Sequence, residues 1–177
     1  HQSDILRRYQ EEAIGSPDVA IELPTGSGKT LVGLLIAEYR RITKRERVLY
    51  LCPTKQLVQQ VCCQSIQKYG ISATAFVGKV KGYDSTAKAD FLNSDTIAVA
   101  PYSALFNTNP FFSRPQLIIL DDAHAAENYI ASNWSVEISR ASEQYIYGQL
   151  LNVIIREMPT FEMKRFEATY EDKLKWV

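Results

Sequence analysis

A chain of 177 residues is long enough for one domain, or for one domain and the beginning of another. Its content of 46% hydrophobic and 23% charged residues is typical of a globular protein. Because 20 basic residues balance 20 acidic ones, the composition gives no sign of a strongly basic nucleic-acid-binding protein, although a neutral chain can still carry a basic groove. No apolar run approaches the roughly 20 residues that cross a bilayer, and the start shows no signal-peptide pattern. We therefore expect no membrane partner and a cytoplasmic (intracellular) location.

Short apolar segments alternate with longer amphipathic segments over the first 121 residues. In chain order, the pattern predicts a helix at 5–14 and strands at 19–23, 48–52, 73–77, 96–100 and 117–120, with helices between the strands at about 29–41, 54–69, 85–93 and 101–106. Near-continuous apolar strands that alternate with helices predict an α/β fold, in which helices cover both faces of a parallel sheet. From Ala123 to Glu157 the pattern is helical and contains no further convincing strand. We expect one α/β domain over residues 1–122, followed by a helical extension, or the start of an inserted domain, over residues 123–177.

The segment LPTGSGKT, residues 23–30, follows the first predicted strand and opens the next helix, which is the setting of a phosphate-binding loop. Gly26 and Gly28 allow backbone N–H groups to turn toward phosphate oxygens, and the helix adds the positive end of its dipole. Lys29 would contact the β- and γ-phosphates, and the Thr30 hydroxyl would bind Mg²⁺. The predicted nucleotide-binding residues of this loop are Pro24, Thr25, Gly26, Ser27, Gly28, Lys29 and Thr30. The alternative is a glycine-rich turn with an incidental lysine; the general pattern has glycine where this chain has Leu23.

A second motif, LIILDDAH at residues 117–124, ends a predicted buried strand on two carboxylates. The carboxyl end of a parallel strand would place Asp121 beside the phosphate loop, where it would bind Mg²⁺. Asp122 would orient or deprotonate the attacking water, and His124 would couple the nucleotide state to a second domain. The alternative is a helix cap, since carboxylates are favourable at a helix N-terminus.

These motifs, in this order, resemble those of superfamily-two helicases and translocases of the DEAD/DEAH type. The resemblance rests on RRYQ (7–10), LPTGSGKT (23–30), PTKQLVQQ (53–60) and DDAH (121–124), and it covers roughly residues 4–124. It implies that residues 1–122 form the first of two RecA-like domains, which uses ATP and Mg²⁺ and acts on nucleic acid, with DNA favoured over RNA. It also implies that Arg7, Tyr9 and Gln10 belong to an adenine-reading motif, in which the glutamine hydrogen-bonds the base edge.

The resemblance further implies contacts with nucleic acid. In PTKQLVQQ the matching residues are Pro53, Thr54, Leu57 and Gln60, although Thr54 fits a helix cap whatever its function. APYSAL (100–105) occupies the place of another contact motif in an uncommon form, which makes Tyr102 and Ser103 candidate contacts. Gly78 is a further candidate, with Lys79 and Lys81 on the same predicted loop; a solvated lysine loop is the alternative.

The segment after the acid motif, AENYIASNWSVEISR, is similar to the corresponding segment of the iron–sulfur excision-repair and damage-response helicases, where the chain enters an inserted domain. Those helicases place four cysteine ligands between the two ATPase motifs. This chain has three cysteines, Cys52, Cys62 and Cys63, without the cluster spacing, so we expect no iron–sulfur cluster.

Three features predict that this chain alone binds nucleotide and hydrolyses it poorly. Asp122 stands where the family usually has glutamate, and the shorter side chain could cost on the order of a hundredfold in rate. No S-A-T or T-A-T motif follows residue 124, and no second RecA-like domain with an arginine finger is visible in the sequence. We therefore expect the N-terminal fragment of a motor. A translocase of a restriction or defence system and a nucleotide-binding scaffold with degenerate hydrolysis stay open as alternatives, whereas the motif spacing disfavours a small-molecule kinase.

Overall fold

The computed structural model describes residues 2–24, 26–155 and 173–175. Its helices are α1 (Gln2–Arg8), which continues as a π-helical turn at Tyr9–Ala13, α2 (Lys29–Lys44), α3 (Lys55–Tyr69), α4 (Ser85–Leu92), α5 (Ala123–Trp134) and α6 (Gln144–Ile155). Its strands are β1 (Val48–Cys52), β2 (Ala73–Ala75), β3 (Ile97–Pro101), β4 (Leu117–Leu120), β5 (Glu137–Ser139) and β6 (Lys173–Lys175). Short 3₁₀ helices at Val80–Gly82 and Tyr102–Ala104 follow β2 and β3. Thr25 of the predicted loop lies outside the described residues. Within the predicted extension over 123–177, residues 156–172 and 176–177 also lie outside them.

Four strands form a parallel sheet in the order β2-β3-β1-β4. β1 lies inside the sheet, with Tyr50 in register with Val99 on one side and with Ile119 on the other. Strands that run parallel need crossover connections: α3 connects β1 to β2, which lies on the far side of β3, and α4 connects β2 to its neighbour β3. The predicted α/β fold, a RecA-like parallel sheet flanked by helices, is therefore confirmed.

The main core lies where α2 and α3 pack against the sheet. Every residue of β1 and β3 is buried, as expected for strands with neighbours on both edges and cover on both faces. The buried helix residues in this core are Leu34 and Ala37 of α2 and Val58, Val61 and Cys62 of α3. Complete burial of an aliphatic side chain of this size contributes about 1.5–3 kcal/mol, so this layer fixes the positions of both helices on the sheet.

A second cluster consists of aromatic rings that follow β2 and β3 in the chain. Phe76 contacts the rings of Tyr83, Phe91, Phe111 and Phe112, at centroid separations between 5.1 and 6.3 Å. Most of these pairs meet edge to face, which is the favourable geometry for aromatic quadrupoles. The cluster anchors the long connection between β3 and β4 to the sheet.

The first predicted strand, at 19–23, is not a strand in the structure. Residues 18–24 form no ladder with the other described residues, and Val19 and Ile21 are 42% and 40% exposed. β4 is likewise less buried than its sequence indicates, because it is the last strand of the sheet and leaves Ile118 44% exposed. Apolar composition predicts a strand, but pairing requires a neighbouring strand, and the sequence pattern does not reveal whether one is available.

The predicted helix at 101–106 is reduced to the 3₁₀ helix Tyr102–Ala104. The side-chain amide of Asn107 donates to the carbonyl oxygens of Ser103 and Ala104, at 2.8 and 3.1 Å. These bonds occupy carbonyls that a longer α-helix would use for its own backbone hydrogen bonds, so the helix ends after one turn.

The chain divides into two compact units, His1–Tyr129 and Ile130–Val177. In the second unit, β5 and β6 pair in antiparallel fashion, with Ile138 in register with Leu174. The expectation of no strand between Ala123 and Glu157 is therefore wrong for β5, since a three-residue strand such as EIS is too short to give a periodic signal. Ile138 and Tyr147 pack with Leu150 and Leu151 of α6. Among the described helices, none has the length and hydropathy needed to cross a membrane.

Candidate nucleotide-binding site

The loop between residue 23 and α2 has the backbone conformation that its glycines predict. Gly26 and Gly28 have φ values of +80° and +86°, a region that side chains other than glycine rarely occupy. The Ser27 N–H and hydroxyl both donate to the Pro24 carbonyl, at 3.2 and 2.6 Å, which closes the turn. α2 then begins at Lys29, and its N-cap Gly28 offers no capping side chain. The first N–H groups of this 16-residue helix are therefore available to an anion.

The phosphate loop and the acid motif line one cavity of about 330 Å³. Its lining residues are Gly26, Gly28, Lys29, Thr30, Leu31, Gln64, Tyr69 and Asp121. The structure thus brings together four of the predicted loop residues and one predicted metal ligand that lies more than 90 positions away in the sequence. Gln64 and Tyr69 of α3 were not singled out from the sequence, because polar and aromatic residues on an amphipathic helix give no signal of their own.

Asp121 follows directly after β4, and its N–H donates to the Leu51 carbonyl of β1 at 2.9 Å. This bond continues the ladder by one residue and fixes the carboxylate at the carboxyl edge of the sheet. Burial of the carboxyl group raises the pKa of Asp121 above its ordinary value, and the negative charge of Asp122 raises it further. The hydrogen bond with Tyr50 and the positive charge of Lys29 act in the opposite direction.

The donor atoms at this edge fit a magnesium ion. The Thr30 hydroxyl and the Asp121 carboxylate are oxygen donors that line the same cavity, and Mg²⁺ is bound through oxygen, with few protein ligands and the remainder from phosphates and water. A bound divalent cation would also offset the two effects that raise the pKa of Asp121, its burial and its repulsion from Asp122. Thr30 and Asp121 are therefore the residues that would hold Mg²⁺.

Tyr50 is part of this site although the sequence did not identify it. Its ring is 1% exposed in the middle of β1, and its hydroxyl interacts with the side chains of Thr30 and Asp121. Gly33 makes room for it, since a Cβ at that position would lie 3.0 Å from Cε2 of the ring. Burial raises the pKa of Tyr50, so the hydroxyl stays protonated and able to donate to the carboxylate. The sequence signal for this role is a tyrosine within the otherwise aliphatic segment VLYLC, because a buried hydroxyl needs a polar partner.

The second carboxylate, Asp122, lies at a turn between β4 and α5. Its backbone has a φ of +60°, and its carbonyl accepts from the N–H groups of Ala125 and Ala126 at 3.1 and 3.2 Å. The Asp122 carboxylate also accepts from the Ala125 N–H, at 3.5 Å, so Asp122 stands at the N-terminus of α5 as the helix-cap alternative requires. Its side chain is exposed. His124 lies exposed in the first turn of α5.

Tyr102, a predicted nucleic-acid contact, is buried beside the acid motif. Its ring is only 2% exposed, and its hydroxyl donates to the backbone carbonyls of both Asp121 and Asp122, the latter at 2.8 Å. Burial, together with the charges of these two carboxylates, raises the pKa of Tyr102. The ring is thus withdrawn from the surface and joined to the acid motif, whereas the neighbouring Ser103 is exposed.

The predicted adenine-reading residues lie on α1 and the π-helical turn after it. Arg40 of α2 donates to the Tyr9 hydroxyl and to the Ile14 carbonyl, both at 3.2 Å, which ties this segment to the helix that begins at the phosphate loop. Arg7 pairs with Asp4 at the surface, and Gln10 is exposed.

A different glutamine touches the loop. The side-chain amide of Gln2 donates to the Ser27 carbonyl at 3.0 Å, and a Cβ at Gly28 would lie 2.2 Å from its nitrogen. Gln2 could not be selected from the sequence, because it lies outside the motif that carries the resemblance.

Most of the other candidate contacts follow the carboxyl ends of strands in the parallel sheet. Pro53 and Thr54 come after β1, and the Thr54 hydroxyl accepts from the Leu57 N–H at 3.2 Å, so Thr54 caps α3. Gly78 follows β2 with a φ of +98° and is exposed; Gln60, Lys79 and Lys81 are exposed as well. Since Pro53 and Thr54 follow β1, Gly78 follows β2 and Asp121 follows β4, these four residues lie toward one edge of the parallel sheet, where such sheets bind ligands.

The cysteines occupy different environments. Cys52 and Cys62 are buried, and Cys63 is exposed. Burial raises the pKa of the Cys52 thiol to about 12 and that of Cys62 to about 11, so both stay protonated. Among the described residues, no group of three or more His, Cys, Asp and Glu side chains is arranged to hold a metal ion. The expected absence of an iron–sulfur cluster stays a prediction.

Comparison with known proteins gives one family match and several relatives. The DEAD/DEAH box helicase family profile matches residues 3–151. The ATP-dependent RNA helicase DBP6 of Candida albicans is 31% identical over 127 residues, which are 67% of this chain and 21% of that protein. Reverse gyrase 2 of Aeropyrum pernix is 33% identical over 108 residues, 61% of this chain and 8% of that protein. The ATP-dependent RNA helicase DDX51 of Danio rerio is 29% identical over 142 residues, 70% of this chain and 22% of that protein.

The chain spans about a fifth or less of the length of these curated relatives. No solved structure matches it significantly.

Proposed function

Because the chain belongs to the DEAD/DEAH box helicase family, we propose that it is the ATP-binding half of a nucleic-acid-dependent helicase or translocase. Residues 1–122 act as the first RecA-like domain, and the second RecA-like domain is supplied by another part of the same protein. Residues 123–177 act as an extension or as the start of an inserted domain.

The observation that carries this proposal is the single cavity that the phosphate loop and Asp121 line together. The loop N–H groups and Lys29 hold the phosphates of ATP, and Thr30 and Asp121 hold Mg²⁺. The metal ion neutralises charge on the phosphates. Asp122 orients the attacking water from its exposed position after β4, and His124, in the first turn of α5, couples the nucleotide state to the second domain. Gln10 reads the adenine base.

Nucleic acid binds at the same edge of the sheet, where Pro53, Thr54, Gly78 and Ser103 follow the strands, and it also contacts Gln60 in α3. Backbone N–H groups at the start of α3 suit a phosphate group. The family resemblance seen in the sequence favours DNA over RNA as the nucleic acid that this protein binds. Two relatives are named ATP-dependent RNA helicases, and a third is named a reverse gyrase, which makes RNA an equal candidate for this protein.

The test is the rate of ATP hydrolysis by the natural protein that carries this chain, measured without nucleic acid and with single-stranded DNA, duplex DNA or RNA. We expect ATP hydrolysis that one of these polymers stimulates. The polymer that gives the largest stimulation identifies the substrate class. Hydrolysis that none of them changes would contradict a nucleic-acid motor.

A nucleotide-binding scaffold is the second candidate, and Asp122 is the observation that favours it. Aspartate is one methylene shorter than the glutamate that the family usually has at this position, and misplacement of this size can cost roughly a hundredfold in rate. Asp122→Glu should raise turnover if the site is a slow motor. Tight ATP binding with no turnover in either form would establish the scaffold.

A translocase of a restriction or defence system would hydrolyse ATP and move along duplex DNA without separating its strands.

A further inference from the structure

Two backbone carbonyls of the acid motif share one side-chain donor. The Tyr102 hydroxyl has a single proton, and it lies within hydrogen-bonding distance of the carbonyl oxygens of Asp121 and Asp122. The Asp121 carbonyl belongs to the peptide unit that joins the proposed metal ligand to the proposed water-orienting residue, and the Asp122 carbonyl belongs to the next peptide unit. The hydroxyl therefore restricts the orientation of both units, one on each side of the Asp122 Cα.

The position of Asp122 requires such support. Its φ of +60° places it in the left-handed region, which non-glycine residues occupy infrequently, although aspartate tolerates it better than most. β4, which precedes it, is four residues long and lies at the end of the sheet order, so it has one strand neighbour among the described residues. A hydrogen bond from outside β4 and α5 limits the conformations that the turn between them can adopt.

The Tyr102 ring is itself held firmly. It is 2% exposed and contacts the ring of Tyr129 in α5, with centroids 6.0 Å apart. Tyr102 directly follows β3, a strand whose residues are all buried. A rigid ring of this kind delivers its hydroxyl to a fixed place, because a tyrosine side chain has few rotatable bonds and this one has no room to turn.

We propose that Tyr102 is a positioning residue for hydrolysis, whose hydroxyl sets the direction in which Asp122 presents its carboxylate to the attacking water. This inference rests on the proposed function. It assigns Tyr102 to the acid motif and replaces the direct nucleic-acid contact that the sequence indicated. The hydroxyl bonds to the backbone of Asp121 and Asp122 and leaves the Asp121 carboxylate, the phosphate loop and Lys29 to hold ATP and Mg²⁺, so Tyr102 acts mainly on the step after ATP binding.

The experiment uses the natural protein that carries this chain and the variant Tyr102→Phe, which keeps the buried ring and removes the hydroxyl. We expect kcat for nucleic-acid-stimulated hydrolysis to fall about tenfold to a hundredfold, the range for a catalytic group misplaced by up to an ångström. KM for ATP should change by less than about twofold, because phosphate binding is untouched. Tyr83→Phe is the matched control, since Tyr83 is a buried tyrosine in the aromatic cluster, away from the acid motif.

A merely structural role would give a different result. It would lower the urea midpoint of Tyr102→Phe and leave kcat at the value of the Tyr83→Phe control, and that outcome would overturn the proposal. Equal falls in kcat for both variants would overturn it as well.

A second measurement does not depend on turnover. Amide hydrogen exchange at residues 122–126 should be faster in Tyr102→Phe than in wild type, while exchange in the first turns of α2 stays the same. Unchanged exchange at 122–126 would refute the positioning role even if the wild-type protein hydrolysed no ATP. Absence of turnover in the wild type, with faster exchange in the variant, would instead count against the proposed function alone.

Discussion

Replacing Gly33 with alanine tests how closely α2 packs on the sheet beneath the phosphate loop. Gly33 lies in the first half of α2, and an added Cβ would meet Tyr50 at 3.0 Å from Cε2 and 3.3 Å from the hydroxyl, with Ile119 at an ordinary 3.6 Å. The Tyr50 ring is 1% exposed, so it cannot withdraw into solvent. We expect Gly33→Ala to force Tyr50 or α2 to shift.

Two effects of opposite sign determine the magnitude. Alanine in a helix interior is more favourable than glycine by about 0.8–1 kcal/mol. Overpacking of a filled core costs about 1–3 kcal/mol. The net expectation is a loss of roughly 0–2 kcal/mol in the free energy of unfolding, where helix propensity alone would give a gain of about 1 kcal/mol.

Urea denaturation measures this difference, and a double-mutant cycle isolates its cause. In a Tyr50→Leu background the ring is gone, so Gly33→Ala should become stabilising, with a coupling energy of about 1–3 kcal/mol between the two sites. Gly148→Ala in α6 is the propensity control, because an added Cβ there meets no described atom within 4 Å. A gain from Gly33→Ala equal to that from Gly148→Ala would refute the close packing of Tyr50 against α2.

Three further outcomes are expected. Thr54→Ala should lower the free energy of unfolding by about 1 kcal/mol in urea denaturation, because it removes the acceptor for the Leu57 N–H; no change would mean that the cap is not formed. Asp121→Asn should raise the free energy of unfolding in EDTA, and by more at pH 7 than at pH 4. The pKa of Asp121 is higher in the folded state than in the unfolded state, so its contribution to stability is present below the unfolded-state pKa and is lost as the pH rises through the folded-state pKa, whereas asparagine does not ionise. An equal effect at both pH values would contradict the buried, repelled carboxylate. Gln10→Ala should weaken ATP binding more than triphosphate binding in calorimetry, and equal losses would argue against adenine reading.

The parallel core was accessible from the sequence because its signal is local. VLYLC and LIIL are strands with the predicted bounds, since continuous apolar runs of four or five residues between helical patterns have few other stable arrangements. The residues of the loop and the acid motif were accessible for another reason. TGSGKT and DD each have a chemistry that constrains the fold around them, and the carboxyl ends of parallel strands meet at one edge.

The parts that the sequence did not predict depend on neighbours distant in the chain. VAIEL has the composition of a strand but is exposed, because pairing depends on where other strands lie. Tyr50 lies between apolar residues in the sequence and resembles an ordinary core position, whereas the segment APYSAL indicates a nucleic-acid contact for Tyr102 and gives no sign of its link to the acid motif. Their roles arise from the atoms near their hydroxyl groups: Thr30 and the Asp121 carboxylate for Tyr50, and the backbone of the acid motif for Tyr102.

The most direct test of the central claim is the affinity of the protein for ATP in the presence of Mg²⁺, with Lys29→Ala compared with wild type by calorimetry. Lys29 lines the cavity with Asp121, and loss of a hydrogen bond between charged groups costs about 1.5–3 kcal/mol, or on the order of tenfold to a hundredfold in affinity. Lys44→Ala, at the exposed far end of the same helix, is the control and should bind as wild type does. The account predicts a loss confined to Lys29→Ala; equal affinity in all three proteins would contradict it.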